Sequence, residues 1–304
     1  MKLWNKILPS SKLHQDVKID YNRVDSIQPL NLSELSLIAP IKKKVLLQRE
    51  KRASIDIEKS QKKLALIIPY RHREEHLRQF LPHTIEYLQN QKIDFEIVVV
   101  EQVDEKPFNK AKLMNIAAKS VADECDYFVF HDVDLLAQTI DYRYCNFTEK
   151  LFTYIEEDGE YKRYGDTIFG GAILVPKEVF FEINGFSNSY WQWGKEDDDF
   201  LLRHILKGHI VLQDMQGKLL ALPHQPSIER DTQGKYVSDT KILEANKKMY
   251  QANKNVFSNL KRGISTQDED GISTLENYKI VNIKQEENIK RIQVLFLDGE
   301  KDVK

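Results

Sequence analysis

Tyr127-Phe-Val-Phe-His-Asp-Val-Asp134 decides how this chain is read: four unbroken apolar residues run straight into two carboxylates. Tyr127–Phe130 has the composition of a strand buried on both faces, so Asp132-Val133-Asp134 falls where such a strand ends. Working outward, Leu64-Ala-Leu-Ile-Ile-Pro69 and Phe95–Val100 are two more continuous apolar runs. Between them Glu74–Gln91 is helix-like, and Pro82 is expected to bend or split it. Asn109–Val121 is expected as a helix capped by Asn109, with Leu113, Ile116, Ala117 and Val121 on one face. Later come the stretch Phe169–Val175, a Trp- and acid-rich loop at 190–199, a helix from about Asp197 to Lys207, a strand near Ile210–Gln213, and two alternating runs, Lys279–Ile283 and Ile292–Phe296, that suit a terminal hairpin. Strands alternating with helices imply an α/β fold with a mostly parallel central sheet, flanked by helices and binding ligands at its carboxyl edge.

Composition excludes several classes. The chain has 304 residues, 45 Lys plus Arg against 47 Asp plus Glu, and 41% hydrophobic residues. That is enough apolar material for a core, and too even a charge balance for a surface that mainly binds nucleic acid. Apolar runs such as Leu64–Ile68 are far shorter than the roughly 20 residues of a bilayer span. Met1–Pro9 lacks a signal peptide's apolar centre. With only Cys125 and Cys145, no disulfide scaffold is expected, and a cytoplasmic setting is the default. Residues 1–62 read as a polar lead-in. From Lys42 to Lys63 nine basic residues face three acidic ones, which suits a solvated segment or a contact with an anionic membrane surface. Residues 63–285 read as the catalytic domain and 286–304 as a C-terminal strand and tail.

Four groups carry chemistry. In Asp132-Val133-Asp134 the carboxylates of an extended segment point to opposite sides, so one can face a metal while the other binds a hydroxyl or supports the site. Their hard oxygens suit Mn²⁺ or Mg²⁺ carrying a diphosphate. Trp191-Gln-Trp193-Gly-Lys-Glu196-Asp197-Asp198-Asp199 sets two flat apolar rings beside four acids. The acids suit a helix start, and their repulsion is expected to raise at least one pKa and create a general base. His224 follows an apolar strand and can complete a site begun by Asp134. Pro69-Tyr70-Arg71-His72-Arg73 offers two guanidinium groups for a phosphate and a ring for a base.

In this order these segments resemble the β-1,4-galactosyltransferase family (glycosyltransferase family 7). The matching stretches are Ile67-Ile-Pro-Tyr-Arg-His-Arg-Glu-Glu-His76, Phe108-Asn-Lys-Ala-Lys-Leu-Met-Asn115, Phe128-Val-Phe-His-Asp-Val-Asp134, Phe169-Gly-Gly171, Ile183-Asn-Gly-Phe186 and Tyr190–Asp199. The resemblance implies a GT-A-type nucleotide-sugar transferase fold. It also implies inverting, Mn²⁺-dependent transfer of galactose or N-acetylgalactosamine from a UDP-sugar to a glycan or lipid-linked glycan. Pro69, Tyr70, Arg71, Arg73, Phe108, Lys110, Asp132, Val133, Ile168, Gly171 and Trp193 would line the donor pocket. Asp134 and His224 would hold the metal, and Asp197 would deprotonate the acceptor hydroxyl. Glu196, Asp198, Trp193 and Tyr236 would hold the acceptor.

Four positions depart from the family pattern. Ala221 stands where vertebrate members have a metal-ligating methionine, Lys110 where arginine is usual, and Lys195 where glycine is usual. Ile168 replaces a tyrosine that crowds the sugar's C2 substituent in galactose-specific members, leaving room for a 2-acetamido group. The missing anchor and disulfides of vertebrate members suggest a bacterial enzyme building surface polysaccharide or lipopolysaccharide at the inner membrane face. A catalytically silent sugar-binding module of the same fold is the competing reading.

Overall fold

The central apolar runs pair with one another in the computed structural model, which describes residues 46–49, 62–164, 169–223 and 240–298. In chain order the strands are β1 (Leu46–Arg49), β2 (Lys63–Tyr70), β3 (Asp94–Gln102), β4 (Tyr127–His131), β5 (Leu135–Ala137), β6 (Thr148–Lys150), β7 (Tyr154–Glu157), β8 (Glu160–Arg163), β9 (Ala172–Pro176), β10 (Val211–Asp214), β11 (Lys218–Ala221), β12 (Tyr278–Glu286) and β13 (Ile289–Phe296). The helices are α1 (Glu74–Asn90), α2 (Lys110–Val121), α3 (Lys177–Glu182), α4 (Glu196–Leu206) and α5 (Thr240–Lys261). Nine strands form one sheet in the order β1-β10-β6-β9-β4-β2-β3-β13-β12. Its neighbours are parallel except at β6/β9, β9/β4 and β13/β12. A second sheet, β5-β11-β7-β8, stands beside the end of β4.

Why the runs are apolar throughout follows from the two sides of the sheet. On β2, Ala65 and Ile67 enter a core with Leu113 and Ile116 of α2 and Phe180 and Phe200. Leu64, Leu66 and Ile68 enter an opposite core with Leu77, Phe80 and Leu88 of α1. Each fully buried side chain of this size contributes about 1.5–3 kcal/mol, so a polar residue at any of these positions would cost both that term and its desolvation.

Several expectations change. Pro82 lies within α1 without dividing it, because Leu77, Phe80, Thr84 and Leu88 keep one face buried along the whole helix. The alternating C-terminal runs do form a hairpin, β12/β13, and β13 also adds parallel to β3. Residues read as a terminal strand are therefore part of the main sheet. β1, within the stretch read as a lead-in, pairs parallel with β10. Both cysteines are buried, and burial pushes the Cys125 thiol up to about 12. Among the described residues no helix is long and apolar enough to cross a membrane.

Candidate active site

β4 delivers Asp132 and Asp134 to the carboxyl edge of the sheet, where the chain turns into β5. Beneath the turn, His131 is 1% exposed and burial lowers its pKa to about 4, so the ring is neutral. A neutral imidazole has one donor and one acceptor. Here Nδ1 lies 2.9 Å from the Asp132 carbonyl and Nε2 lies 3.0 Å from the Tyr142 hydroxyl, which fixes the turn from below. The Asp132 amide donates to the Gly171 carbonyl at 2.9 Å. Gly171 has φ +94°, and a Cβ there would come within 2.9 Å of the Phe152 ring, so only glycine lets this backbone run beside the carboxylates.

The two acidic groups of the sequence meet at one cation. Lys110, the first residue of α2, places Nζ 2.5 Å from Asp132 Oδ1. Burial disfavours its charge, but Asp132, Glu196 and Asp197 outweigh burial and raise its pKa. α2 is capped as expected, the Asn109 side chain accepting from the Lys112 amide at 2.8 Å. Glu196, Asp197, Asp198 and Asp199 make the first turn of α4, where the helix dipole favours negative charge.

The four acids differ. Asp199 is buried, bound to Arg203 Nε at 2.5 Å and to the Tyr190 hydroxyl at 3.0 Å. Asp198 is buried and held by Lys195 Nζ at 2.6 Å. Asp197 is half-buried, its Oδ1 accepting from the Asp198 amide at 2.8 Å. The Glu196 carboxyl is pushed up to about 7, first by burial and then by Asp197, against the pull of Lys110, and its Oε2 has no hydrogen-bond partner. A raised carboxyl was expected here, but burial exceeds mutual repulsion as its cause.

Glu196 sets a pH dependence. A carboxyl raised from 4.5 to about 7 in the folded chain contributes stability that is full below pH 4.5 and lost as pH rises through 7. Glu196→Gln mimics the protonated form. Its Tm relative to the native protein, measured with chelator present, is expected to be more favourable at pH 8 than at pH 5.

On the donor side, Arg71 lies over the Phe108 ring at 5.2 Å and donates to the Lys106 carbonyl at 2.6 Å. Arg73 stands at the N-terminal boundary of α1 without a side-chain capping bond, and Pro69 and Val133 are buried. Tyr70 is corrected: it is 1% exposed, with its ring in the core facing the Arg291 guanidinium at 5.4 Å, so it does not present a face to a base. Trp193 is 78% exposed and stacks on Tyr250 of α5 at 5.6 Å. Lys195, at φ +80°, occupies backbone that favours glycine, and its Nζ pairs with Asp198.

Ile168, His224 and Tyr236 lie outside the described residues. The chain before His224 reaches the carboxylates nonetheless: Ala221 pairs with Leu135, and the Leu222 amide donates to the Asp134 carbonyl at 2.7 Å. Hard carboxylate oxygen at Asp134 fits a divalent cation, although no group of three metal-binding side chains occurs among the described residues. Sequence reasoning missed the partners of the tryptophan loop on α5, Tyr250 and Asn253, which lie in a polar helix with no motif.

A model described as the N-terminal region of glycosyl transferase group 7 matches residues 28–146, and one described as the N-terminal domain of galactosyltransferase matches residues 152–224. Human β-1,4-galactosyltransferase 4 is 39% identical over 148 residues, 48% of this chain and 43% of that protein. β-1,4-Galactosyltransferase 7 of Drosophila melanogaster is 40% identical over 144 residues, 46% of this chain and 44% of that protein. The match thus spans less than half the length of these relatives. A crystal structure of the Drosophila β-1,4-galactosyltransferase 7 in complex with manganese, UDP-Gal and xylobiose superposes with a TM-score of 0.61 at 27% identity, covering 79% of this chain and 96% of that one. The catalytic domain of the same enzyme with xylobiose gives 0.59 at 29% identity. The fold is of the GT-A type.

Proposed function

The chain belongs to glycosyl transferase group 7, and on that premise we propose that it is an inverting, Mn²⁺-dependent transferase moving a hexose or N-acetylhexosamine from a UDP-sugar to a sugar hydroxyl in β-1,4 linkage. The observation that carries the reading is Lys110, which draws Asp132 and the acids of α4 to one place. Asp134 and His224 would hold the cation, which neutralises the departing diphosphate when bound. Arg71, Arg73 and Lys110 supply positive charge for the same phosphates. Asp197 takes the acceptor hydroxyl's proton as its oxygen attacks the anomeric carbon opposite UDP. The new carbon–oxygen bond forms as the bond to UDP breaks, which inverts the centre. A lipid-linked glycan acceptor, reached through the basic stretch 42–63, extends the same proposal.

Donor choice is assigned to Ile168, whose side chain is smaller than the tyrosine that the resemblance places there in galactose-specific members and lacks its hydroxyl. Native protein is expected to use UDP-GalNAc, and Ile168→Tyr to shift the GalNAc-to-Gal ratio of kcat/KM toward galactose by about tenfold or more. No GalNAc transfer by the native protein sinks this assignment.

A further inference from the structure

We infer that Asn253 of α5 is a positioning residue for the loop that carries Trp193 and leads into the acids of α4; the inference rests on the transferase reading of that site. Asn253 is 1% exposed. Its amide nitrogen donates to the carbonyls of Trp191 at 2.9 Å and Gly194 at 3.0 Å, and its oxygen accepts from the Trp191 amide at 3.4 Å. Both carbonyls can only accept, so the contacts fix which way the amide faces. One side chain therefore takes up main-chain groups at both ends of the turn.

The same turn rests on α5 at further points. A Cβ on Gly194 would come within 2.8 Å of the Tyr250 ring, which also stacks on Trp193. The Lys195 cation lies 5.7 Å from the centre of the Phe257 ring. On the other flank, the Gln192 amide donates to the Phe108 carbonyl at 2.7 Å, beside Arg71. The turn is thus strung between the donor-side segment and α5. Asn253 sets where it ends, and so where Glu196 and Asp197 begin α4.

Asn253→Leu keeps the side chain's approximate volume and removes all three bonds. Asn253→Asp keeps the acceptor for the Trp191 amide but turns a carboxylate oxygen toward two carbonyls. Each is compared with the native protein for Tm, acrylamide quenching of tryptophan fluorescence, UDP affinity with Mn²⁺, and acceptor KM and kcat with UDP-galactose. Quenching is expected to change and acceptor kcat/KM to fall about ten- to a hundredfold, as for a misplaced reacting group, with UDP affinity within about threefold. A merely structural asparagine would lower Tm while kcat and KM per folded molecule stayed native, and that result overturns the inference. If Asn253→Leu does not fold, Asn253→Asp carries the test. Absence of transfer by the native protein would be a failure of the transferase reading instead. In that case quenching still tests the clasp, and unchanged quenching overturns it.

Discussion

Asp197→Asn is expected to lower kcat by about three orders of magnitude or more while leaving UDP and Mn²⁺ affinity within about threefold of native. Asp197 is half-buried at the start of α4, its Oδ1 accepting from the Asp198 amide at 2.8 Å. Asp199 serves Arg203, Asp198 serves Lys195, and Glu196 shares Lys110 with Asp132. Removing the charge of Asp197 keeps its shape and its bond to the Asp198 amide, so the fold should survive. Initial rates of acceptor-dependent UDP release, beside titration of UDP binding, check this. A sugar-binding module without catalysis would show no turnover in the native protein and no change in the variant.

Arg203→Met is expected to destabilise the fold by about 3–5 kcal/mol, the cost of leaving a buried charge without its partner. Arg203 and Asp199 are 2% and 1% exposed and lie 2.5 Å apart. Arg203 also donates to the Asp270 carbonyl at 2.7 Å, and Tyr190 donates to Asp199 at 3.0 Å. This one guanidinium therefore joins the start of α4 to the segment after α5. Burial pushes the Asp199 carboxyl up, while Arg203 and Tyr190 oppose it. Without Arg203 the carboxyl would be left to protonate or to remain charged at high cost. A double variant, Asp199→Asn with Arg203→Met, should lose less than the sum of the two single changes, because the orphaned charge is gone. Chemical denaturation measures both. A loss below about 1 kcal/mol for Arg203→Met would mean the pair is solvated.

Much of the frame was legible because its signals are local. Three unbroken apolar runs specify strands covered on both sides, and they become β2, β3 and β4. Asn109 could be read as a cap because a cap depends on residues within one turn. What escaped reading depends on burial and on partners elsewhere in the fold. Four consecutive acids look alike in the chain, and only folding buries Asp199 with Arg203 four residues on and turns Asp198 to Lys195 three residues back. Tyr70 stands next to two arginines and reads as a pocket residue, yet strand alternation turns its ring into the core. α5 carries no motif, since an asparagine in a polar helix is ordinary until its amide meets the backbone of Trp191 and Gly194. β13 was visible as an alternating run, but its parallel place beside β3 is set by pairing across nearly two hundred residues.

The most direct test of the transferase reading is acceptor-dependent release of UDP from UDP-galactose and UDP-GalNAc by the native protein with Mn²⁺, using simple GlcNAc, glucose and xyloside acceptors. Release that needs both acceptor and metal, stops with chelator, yields a β-linked product and is lost in Asp197→Asn is the predicted result. UDP-sugar binding with no release from either donor, or release that persists unchanged in Asp197→Asn, would contradict it.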